Sequence, residues 1–260
     1  MPKTLALKFA YDGTKFDGFA VQPHGKTVEG EIIKALRAIG IKSSPRPASR
    51  TDKWVSARGN VMGLETDFPA GKLVKALNGI LENIWFYAVA DAPADFKPRH
   101  ANWRLYRYIM PNEKFDVPAM KRCAEMLVGE HDFSALAKKD EDKNPKRNIL
   151  SASVSKKGKF IILELKAQSF LWSMVRGIAE LMKEAGRKKV GEDSILKILA
   201  GERKSSLHYA PPENLVLLDV HYDKLKFRNI REAVRKMKKE IGAELEKAEA
   251  RQKILQAIVH

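Results

Sequence analysis

The chain opens with the run Thr4-Leu5-Ala6-Leu7-Lys8-Phe9-Ala10-Tyr11, which is followed by Asp12-Gly13-Thr14. The run alternates in the manner of a β-strand, because successive strand side chains point to opposite faces and Leu5, Leu7 and Phe9 therefore share one face. Asp, Gly and Thr in succession are typical of a turn. This opening predicts a strand that ends at a turn near residue 12.

Helices and strands then follow one another in an order that repeats. Thr27 can cap a helix over 28–39, and a short helix at 71–79 lies between strands at 55–66 and 84–90. A similar order recurs later, with strands at 105–110, 148–155, 159–167 and 215–222 and with helices at 118–128, 170–185 and 194–200. The order strand-helix-strand-strand-helix-strand is that of ferredoxin-like and RNA-recognition-motif folds.

The sequence therefore predicts an α+β fold of two side-by-side ferredoxin-like (RRM-like) units. They would form a mostly antiparallel sheet with helices on one face, followed by a C-terminal helical extension. We place the units at 1–98 and 99–223 and the extension at 224–260. The extension is basic and its apolar residues fall mostly three or four apart, so we expect one long amphipathic helix. Such a helix could dock on its own domain or on a dimer mate, or it could grip RNA.

Composition points to a polyanionic partner. The 260 residues include 48 Lys and Arg against 32 Asp and Glu, which gives a formal charge of +16. One cysteine excludes a disulfide framework and a Cys-based zinc site, and no histidine spacing suggests a metal site. No apolar run approaches the length of about 18 residues that spans a membrane. We therefore expect a cytoplasmic protein without a membrane partner.

One acidic residue stands inside a strongly basic run, in the motif Arg50-Thr51-Asp52-Lys53. Cations that bind phosphate, placed around an ionised carboxylate, suit chemistry on a nucleic acid. Considered alone, however, the motif is more typical of a turn in which Asp52 accepts backbone N–H bonds.

Five blocks in order resemble the tRNA pseudouridine synthases of the TruA type. The resemblance covers roughly residues 4–223, and its blocks are Tyr11-Asp12-Gly13-Thr14, Arg50-Thr51-Asp52-Lys53, Arg104-Leu105-Tyr106-Arg107-Tyr108-Ile109, Gly129-Glu130-His131-Asp132-Phe133 and Ser169-Phe170-Leu171-Trp172-Ser173-Met174-Val175-Arg176. One position departs from the pattern, because Trp54 stands where the family usually has glycine in the loop that carries the aspartate.

The resemblance implies roles for three residues. Asp52 would be the essential carboxylate, as nucleophile or as base at the sugar, and Arg176 would be its fixed cation. Tyr106 would stack on the target uracil. The alternatives are a surface ion pair between Arg176 and Glu180 one turn along, and an ordinary core aromatic at Tyr106.

The resemblance also implies a substrate and a mode of binding. The substrate would be tRNA, modified in the anticodon stem-loop around positions 38 to 40. Because members of the family are commonly dimers, we expect a homodimer, and the resemblance implies neither a cofactor nor a metal. Arg50 would help to extrude the target base, and we expect further RNA contacts from a set of basic residues, Lys53, Arg58, Arg104 and Arg107.

Two other functions fit parts of the sequence. A non-catalytic RNA-binding protein on the same paired fold would share the charge and the element order, but the presence of Asp52 and Arg176 disfavours it. A methyltransferase would need a glycine-rich cofactor loop after the first strand, where Asp12-Gly13-Thr14 is only a turn.

Overall fold

The computed structural model describes residues 3–139, 144–202 and 208–259. In the N-terminal half the elements are, in chain order, β1 (Lys3–Tyr11), α1 (Val28–Ala38), β2 (Arg46–Pro47), β3 (Ser56–Thr66), α2 (Ala70–Ile80) and β4 (Ile84–Ala92). The C-terminal half contains β5 (Trp103–Pro111), α3 (Val117–Met126), β6 (Gly129–Asp132), β7 (Lys146–Lys157), β8 (Phe160–Ala167), α4 (Met174–Gly186), α5 (Glu192–Leu199) and β9 (Leu215–His221). Two elements follow, β10 (Arg228–Asn229) and α6 (Arg231–Val259).

Within these residues the strands form one sheet in the order β10-β4-β1-β3-β9-β5-β8-β7-β6, with β2 paired to β3. The sub-orders β4-β1-β3 and β9-β5-β8-β7 repeat the same arrangement, in which the first strand of each half lies between the last and the second-to-last strand of that half. The prediction of an α+β fold with a mostly antiparallel sheet is confirmed. The unit boundary at residue 98 stays a prediction.

The two halves join where β3 meets β9 in a short parallel pairing. Ser56 pairs with Val216 and Ala57 with Leu217, whereas the other strand pairs are antiparallel. Gly59 permits this approach, because a Cβ atom there would lie 2.7 Å from the carbonyl oxygen of Leu218. The junction therefore brings the start of β3, and the loop before it, against the C-terminal half.

The core lies where the strands face the helices. In β1 the side chains of Leu5, Leu7 and Phe9 are fully buried, as the alternation predicts. Phe9 stacks on Phe86 of β4, with ring centroids 5.1 Å apart. The predicted cap of α1 is also present, because the Thr27 hydroxyl accepts a hydrogen bond from the Gly30 amide. These apolar contacts hold β1 in the middle of the N-terminal half.

Helix α4 begins later than the pattern predicts. The apolar spacing suggested a start at residue 170, but the helix starts at Met174 because Ser173 adopts φ 59°, in the left-handed region. A non-glycine residue there interrupts right-handed helix geometry. The residues before Met174 are thereby freed to point elsewhere, which matters for the site.

The C-terminal extension also differs in part from the single long helix that was predicted. Its first residues form β10, which pairs with the edge strand β4 through Arg228 and Asn229, and the helix starts at Arg231. The N-terminal part of α6 docks, because Trp85 Nε1 donates to Glu240 at 2.6 Å and Lys236 donates to the Asn78 carbonyl. Further along the helix a set of large apolar side chains is exposed: Leu245, Ile254, Leu255, Ile258 and Val259.

Candidate active site

Asp52 lies in the loop of residues 48–55, between β2 and β3. The loop is held from below by β1, because the Tyr11 and Thr51 hydroxyls share a hydrogen bond of 2.8 Å. The turn at Gly13 packs closely against the other end of this loop, since a Cβ atom at Gly13 would lie 2.1 Å from the Val55 carbonyl oxygen. The first turn of the chain therefore shapes the loop that carries the carboxylate.

Trp54 adopts φ 70° in this loop, a left-handed conformation that glycine reaches without steric cost. This explains why glycine is the usual residue there in the family that the sequence resembles. The Trp54 side chain is exposed, and its ring lies 4.9 Å from the Lys53 ammonium. The loop thus keeps the glycine-type backbone despite the tryptophan.

Three side chains donate hydrogen bonds to the Asp52 carboxylate, and all three come from residues 172–176 of the other half. Trp172 Nε1 donates to Oδ1 at 2.9 Å. Ser173 Oγ and Arg176 Nη1 each donate to Oδ2 at 2.8 Å. The Asp52 side chain is therefore not the cap of its own turn, which was the alternative interpretation of the motif. It is a largely enclosed carboxylate with a fixed cation.

Arg176 is held by its own set of contacts. Its Nε donates to the Ala210 carbonyl at 2.7 Å, and the guanidinium carbon lies 5.8 Å from the centre of the Tyr209 ring. The alternative pair with Glu180 is wrong, since the Glu180 carboxylate instead approaches Lys183 at 3.1 Å. Arg176 therefore joins the Asp52 loop to the segment before β9.

Tyr106 lies beneath the site, on the buried face of β5. Its ring meets that of Phe170 edge-on, with centroids 5.1 Å apart. Burial raises the pKa of the Tyr106 hydroxyl to about 12, and the negative charge of Asp52 adds to this shift. The phenol is therefore protonated at neutral pH, and it can donate a hydrogen bond.

The five basic residues expected to contact RNA divide into two groups. Arg50, Lys53 and Arg58 are exposed around the Asp52 loop, and Lys53 also pairs with Asp17 at 2.9 Å. Their placement leaves the charges available to a polyanion.

Arg104 and Arg107 are placed differently. Arg104 is buried and donates to Ser49 Oγ at 3.0 Å and to the carbonyls of Ala48, Arg99 and Gln168, so its guanidinium is used inside the protein. Burial lowers its pKa. Arg107 is on the opposite face of β5, where Nε donates to Glu164 at 2.9 Å. The structure does not bring either guanidinium to the Asp52 carboxylate, and the placement of Arg104 does not suit an RNA contact.

Trp172 and Ser173 were not singled out from the sequence, although both lie in the block that ends at Arg176. Their only sequence signal was this position. The left-handed Ser173 turns both side chains towards Asp52, and such a backbone conformation is not expected for serine.

Within 3–139, 144–202 and 208–259, no group of three His, Cys, Asp or Glu side chains could hold a metal ion. No described helix is long and apolar enough to cross a membrane. The candidate active site is thus an enclosed carboxylate with an arginine, a protonated tyrosine and an exposed basic rim.

Comparison with known proteins finds relatives of one family, and the alignments with them cover most of the chain. A family model described as tRNA pseudouridine synthase matches residues 123–223. A tRNA pseudouridine synthase A of Thermococcus sibiricus is 41% identical over 242 residues, which is 91% of this chain and 91% of that protein. The enzyme of the same name from Pyrococcus furiosus is 38% identical and covers 91% of this chain and 90% of its own length. The one from Methanoculleus marisnigri is 39% identical, with coverage of 84% and 82%.

Proposed function

Because this chain belongs to the tRNA pseudouridine synthase family, whose members are isomerases, we propose that it converts uridine to pseudouridine in the anticodon stem-loop of tRNA, around positions 38 to 40, with Asp52 as the essential carboxylate. The observation that carries this proposal is the 2.8 Å contact between Arg176 Nη1 and Asp52 Oδ2. It supplies the fixed cation that an enclosed carboxylate needs to remain charged.

The reaction breaks the bond between the sugar and N1 of the uracil and rejoins the base through C5. Asp52 gives a lone pair either to the sugar carbon, as a nucleophile, or to a proton on the sugar, as a base. In both routes the electron pair of the broken bond leaves with the uracil. The new bond to C5 expels the C5 proton and N1 takes up one proton, so atoms and electrons balance and the isomerisation itself requires no redox partner.

Tyr106 is suited to act on the base. We propose that its ring packs against the uracil and that its hydroxyl lies close to the C5 proton that must leave. The edge-on contact with Phe170 fixes the ring, and the protonated state of the phenol makes it a hydrogen-bond donor at neutral pH. Tyr108 is not a candidate for this role, since its hydroxyl donates to the Pro211 carbonyl at 3.0 Å.

Binding is assigned to the exposed basic residues of the rim. The target uridine must leave its stack to reach Asp52, and Arg50, Lys53 and Arg58 are placed to hold the phosphates around it. For Arg104 we propose a structural role instead, in which its guanidinium ties β5 to the loop of residues 48–55 through Ser49 and Ala48. Arg107 remains a candidate for a contact at the periphery.

We further propose that the protein acts in the cytoplasm and as a homodimer. Its substrate class supports the first point. The exposed apolar residues in the distal part of α6, such as Leu245 and Leu255, support the second, since they offer a surface for another copy.

The decisive experiment is site-by-site mapping of pseudouridine in an unmodified tRNA after incubation with the purified protein. We expect product at one or more of positions 38 to 40, and none when those uridines are replaced by cytidine. Asp52→Ala should abolish product while leaving tRNA affinity nearly intact, because phosphate contacts carry most of the binding. Asp91→Ala is the matched control, since Asp91 is an exposed carboxylate that pairs with Lys3 and Arg228 at the sheet edge. Turnover by Asp52→Ala would refute the assignment of Asp52.

A further inference from the structure

The two oxygens of the Asp52 carboxylate are not equivalent. Oδ2 accepts two hydrogen bonds, from Ser173 and Arg176, whereas Oδ1 accepts one, from Trp172. A carboxylate oxygen has two lone-pair sites. Counting donors among the described residues, Oδ2 is therefore saturated and Oδ1 keeps one free lone pair.

Trp172 is held for this contact by two neighbouring residues. Ser173, in its left-handed conformation, directly precedes the first residue of α4, and the Lys138 amide donates to the Trp172 carbonyl at 2.9 Å. The Lys138 ammonium lies 4.5 Å from the centre of the indole ring. Although 54% of the side chain is exposed, the indole edge is thus fixed towards Oδ1.

We propose that Trp172 is a positioning residue: through its indole N–H it orients Asp52 so that Oδ1 is the oxygen that reacts with the sugar. This inference rests on the proposed function and extends it to one atom. It leaves open whether Asp52 acts as nucleophile or as base, because either route uses one lone pair of the same oxygen.

The charges of the three donors support the assignment of Oδ1 as the reacting oxygen. When the reacting oxygen forms its new bond, it loses negative charge, and any hydrogen bond that it accepts becomes weaker. A cationic donor on that oxygen would lose most, because it also loses a charge–charge attraction that a neutral donor does not have. The structure places the cation, Arg176, on Oδ2 and the neutral indole on Oδ1. The electron pair of the sugar–uracil bond leaves with the base, so the total charge is conserved.

Trp172→Phe tests the proposal most directly, since phenylalanine keeps an aromatic ring, although a smaller one, and lacks the N–H. We expect kcat for pseudouridine formation to fall about 10- to 100-fold, the usual worth of one hydrogen bond to a charged group. KM for tRNA should be unchanged, because the ring face is retained. The melting temperature of the protein should also stay the same, since the side chain is half exposed.

Trp172→His should restore most of the rate. The histidine Nε2 stands two bonds from Cγ, as the indole Nε1 does, and it can donate a hydrogen bond in the same place. Trp103→Phe is the matched control, because Trp103 lies on the face of β5 opposite Tyr106, stacked on His221 at 4.6 Å. It should leave both kcat and KM at their wild-type values.

The outcomes separate this inference from the proposed function. If Asp52→Ala is inactive while Trp172→Phe has a kcat within twofold of wild type, the role of Trp172 is refuted and the role of Asp52 stands. A rise in KM alone, or a histidine variant as slow as the phenylalanine variant, also refutes it. If the wild-type protein makes no pseudouridine, the proposed function itself fails.

Discussion

Arg176 reaches Asp52 across 124 positions of sequence, and its Nη1 lies 2.8 Å from Oδ2 of the carboxylate. The two residues belong to different halves of the chain, Asp52 to the loop before β3 and Arg176 to helix α4. The pair is only partly open to solvent, with 15% of the arginine side chain and 20% of the aspartate side chain exposed. An ion pair in this setting depends on geometry, because the desolvation cost is offset only when the remaining donors are also used.

Arg176→Lys should lower kcat by about 10- to 100-fold. Lysine keeps the charge, but it loses the planar fork that contacts Asp52 and the Ala210 carbonyl together, and a hydrogen bond to a charged group is worth about 1.5–3 kcal/mol. Single-turnover rates on tRNA measure this effect. Arg187→Lys is the control, since Arg187 follows the same helix but pairs with Glu113 and Glu184. A near wild-type rate for Arg176→Lys would mean that charge alone suffices.

Tyr106→Phe should retain tRNA binding and lose product formation. The phenylalanine ring keeps the edge-on contact with Phe170, and only the hydroxyl is removed. Chromatography of the reacted tRNA can tell whether cleavage of the sugar–uracil bond survives while the product bond is not completed. Full activity of the variant would exclude the hydroxyl from the mechanism.

The same tyrosine predicts a loss of stability in alkali. Burial raises the pKa of Tyr106 from 10.0 to about 12, so above pH 10 the unfolded chain releases a proton that the folded protein retains. The contribution of Tyr106 to the free energy of unfolding is therefore fully present below pH 10, and it is lost as the pH rises towards 12. Urea unfolding should show that the wild type loses about 1 kcal/mol more than Tyr106→Phe between pH 9 and pH 11. Equal losses in the two proteins would mean that Tyr106 titrates normally when folded.

Binding of tRNA should weaken steeply with salt. About five phosphate contacts give a slope of roughly −3.5 to −4.5 in a plot of log affinity against log salt concentration. Lys53→Ala should make that slope shallower by about 0.7–0.9. Lys3→Ala should not change it, because Lys3 lies at the other end of β1 from Tyr11, roughly 26 Å away. If the tRNA affinity of the wild type does not depend on salt, the exposed basic residues do not bind tRNA phosphates.

Two truncations should separate the parts of the C-terminal extension. A cut after Asp223 removes β10 and the Glu240 partner of Trp85, so the melting temperature should fall by about 5–10 °C, corresponding to a loss of about 2–3 kcal/mol. A cut after Gly242 keeps these contacts and should change the melting temperature by less than about 1 °C. Calorimetry gives both values, and size-exclusion chromatography of the second truncation tests the homodimer. An equal fall in both truncations would show that the distal helix is docked.

Sequence periodicity predicts the helices and strands well, but it does not predict which of their faces are buried. The period-two pattern of β5 correctly puts Arg104, Tyr106 and Tyr108 on one face, but it does not tell that the face is buried. Arg104 was therefore expected at the RNA surface, whereas it lies inside. Depth depends on which segments cover the strand, and those segments are distant in sequence.

The backbone conformation of residue 173 is a second feature that the sequence pattern could not predict. The apolar spacing of residues 170–185 favours an uninterrupted helix, and only the folded chain has Ser173 in the left-handed region. That single residue determines that Trp172 meets Asp52 and does not continue the helix. In the same way, the pattern of the C-terminal extension predicts an apolar stripe, but it cannot tell that β4 accepts Arg228 and Asn229 as an added strand.

The contact between Arg176 Nε and the Ala210 carbonyl has a consequence for the time at which the protein becomes active during its synthesis. A ribosome has already released Asp52, Tyr106 and Arg176 when the last anchor of the guanidinium is still in the exit tunnel. Until the segment around Ala210 emerges and β9 pairs with β3, the carboxylate lacks its oriented cation. An incomplete chain that ends before Ala210 therefore contains Asp52, Tyr106 and Arg176 but lacks the contact that orients Arg176 towards the carboxylate.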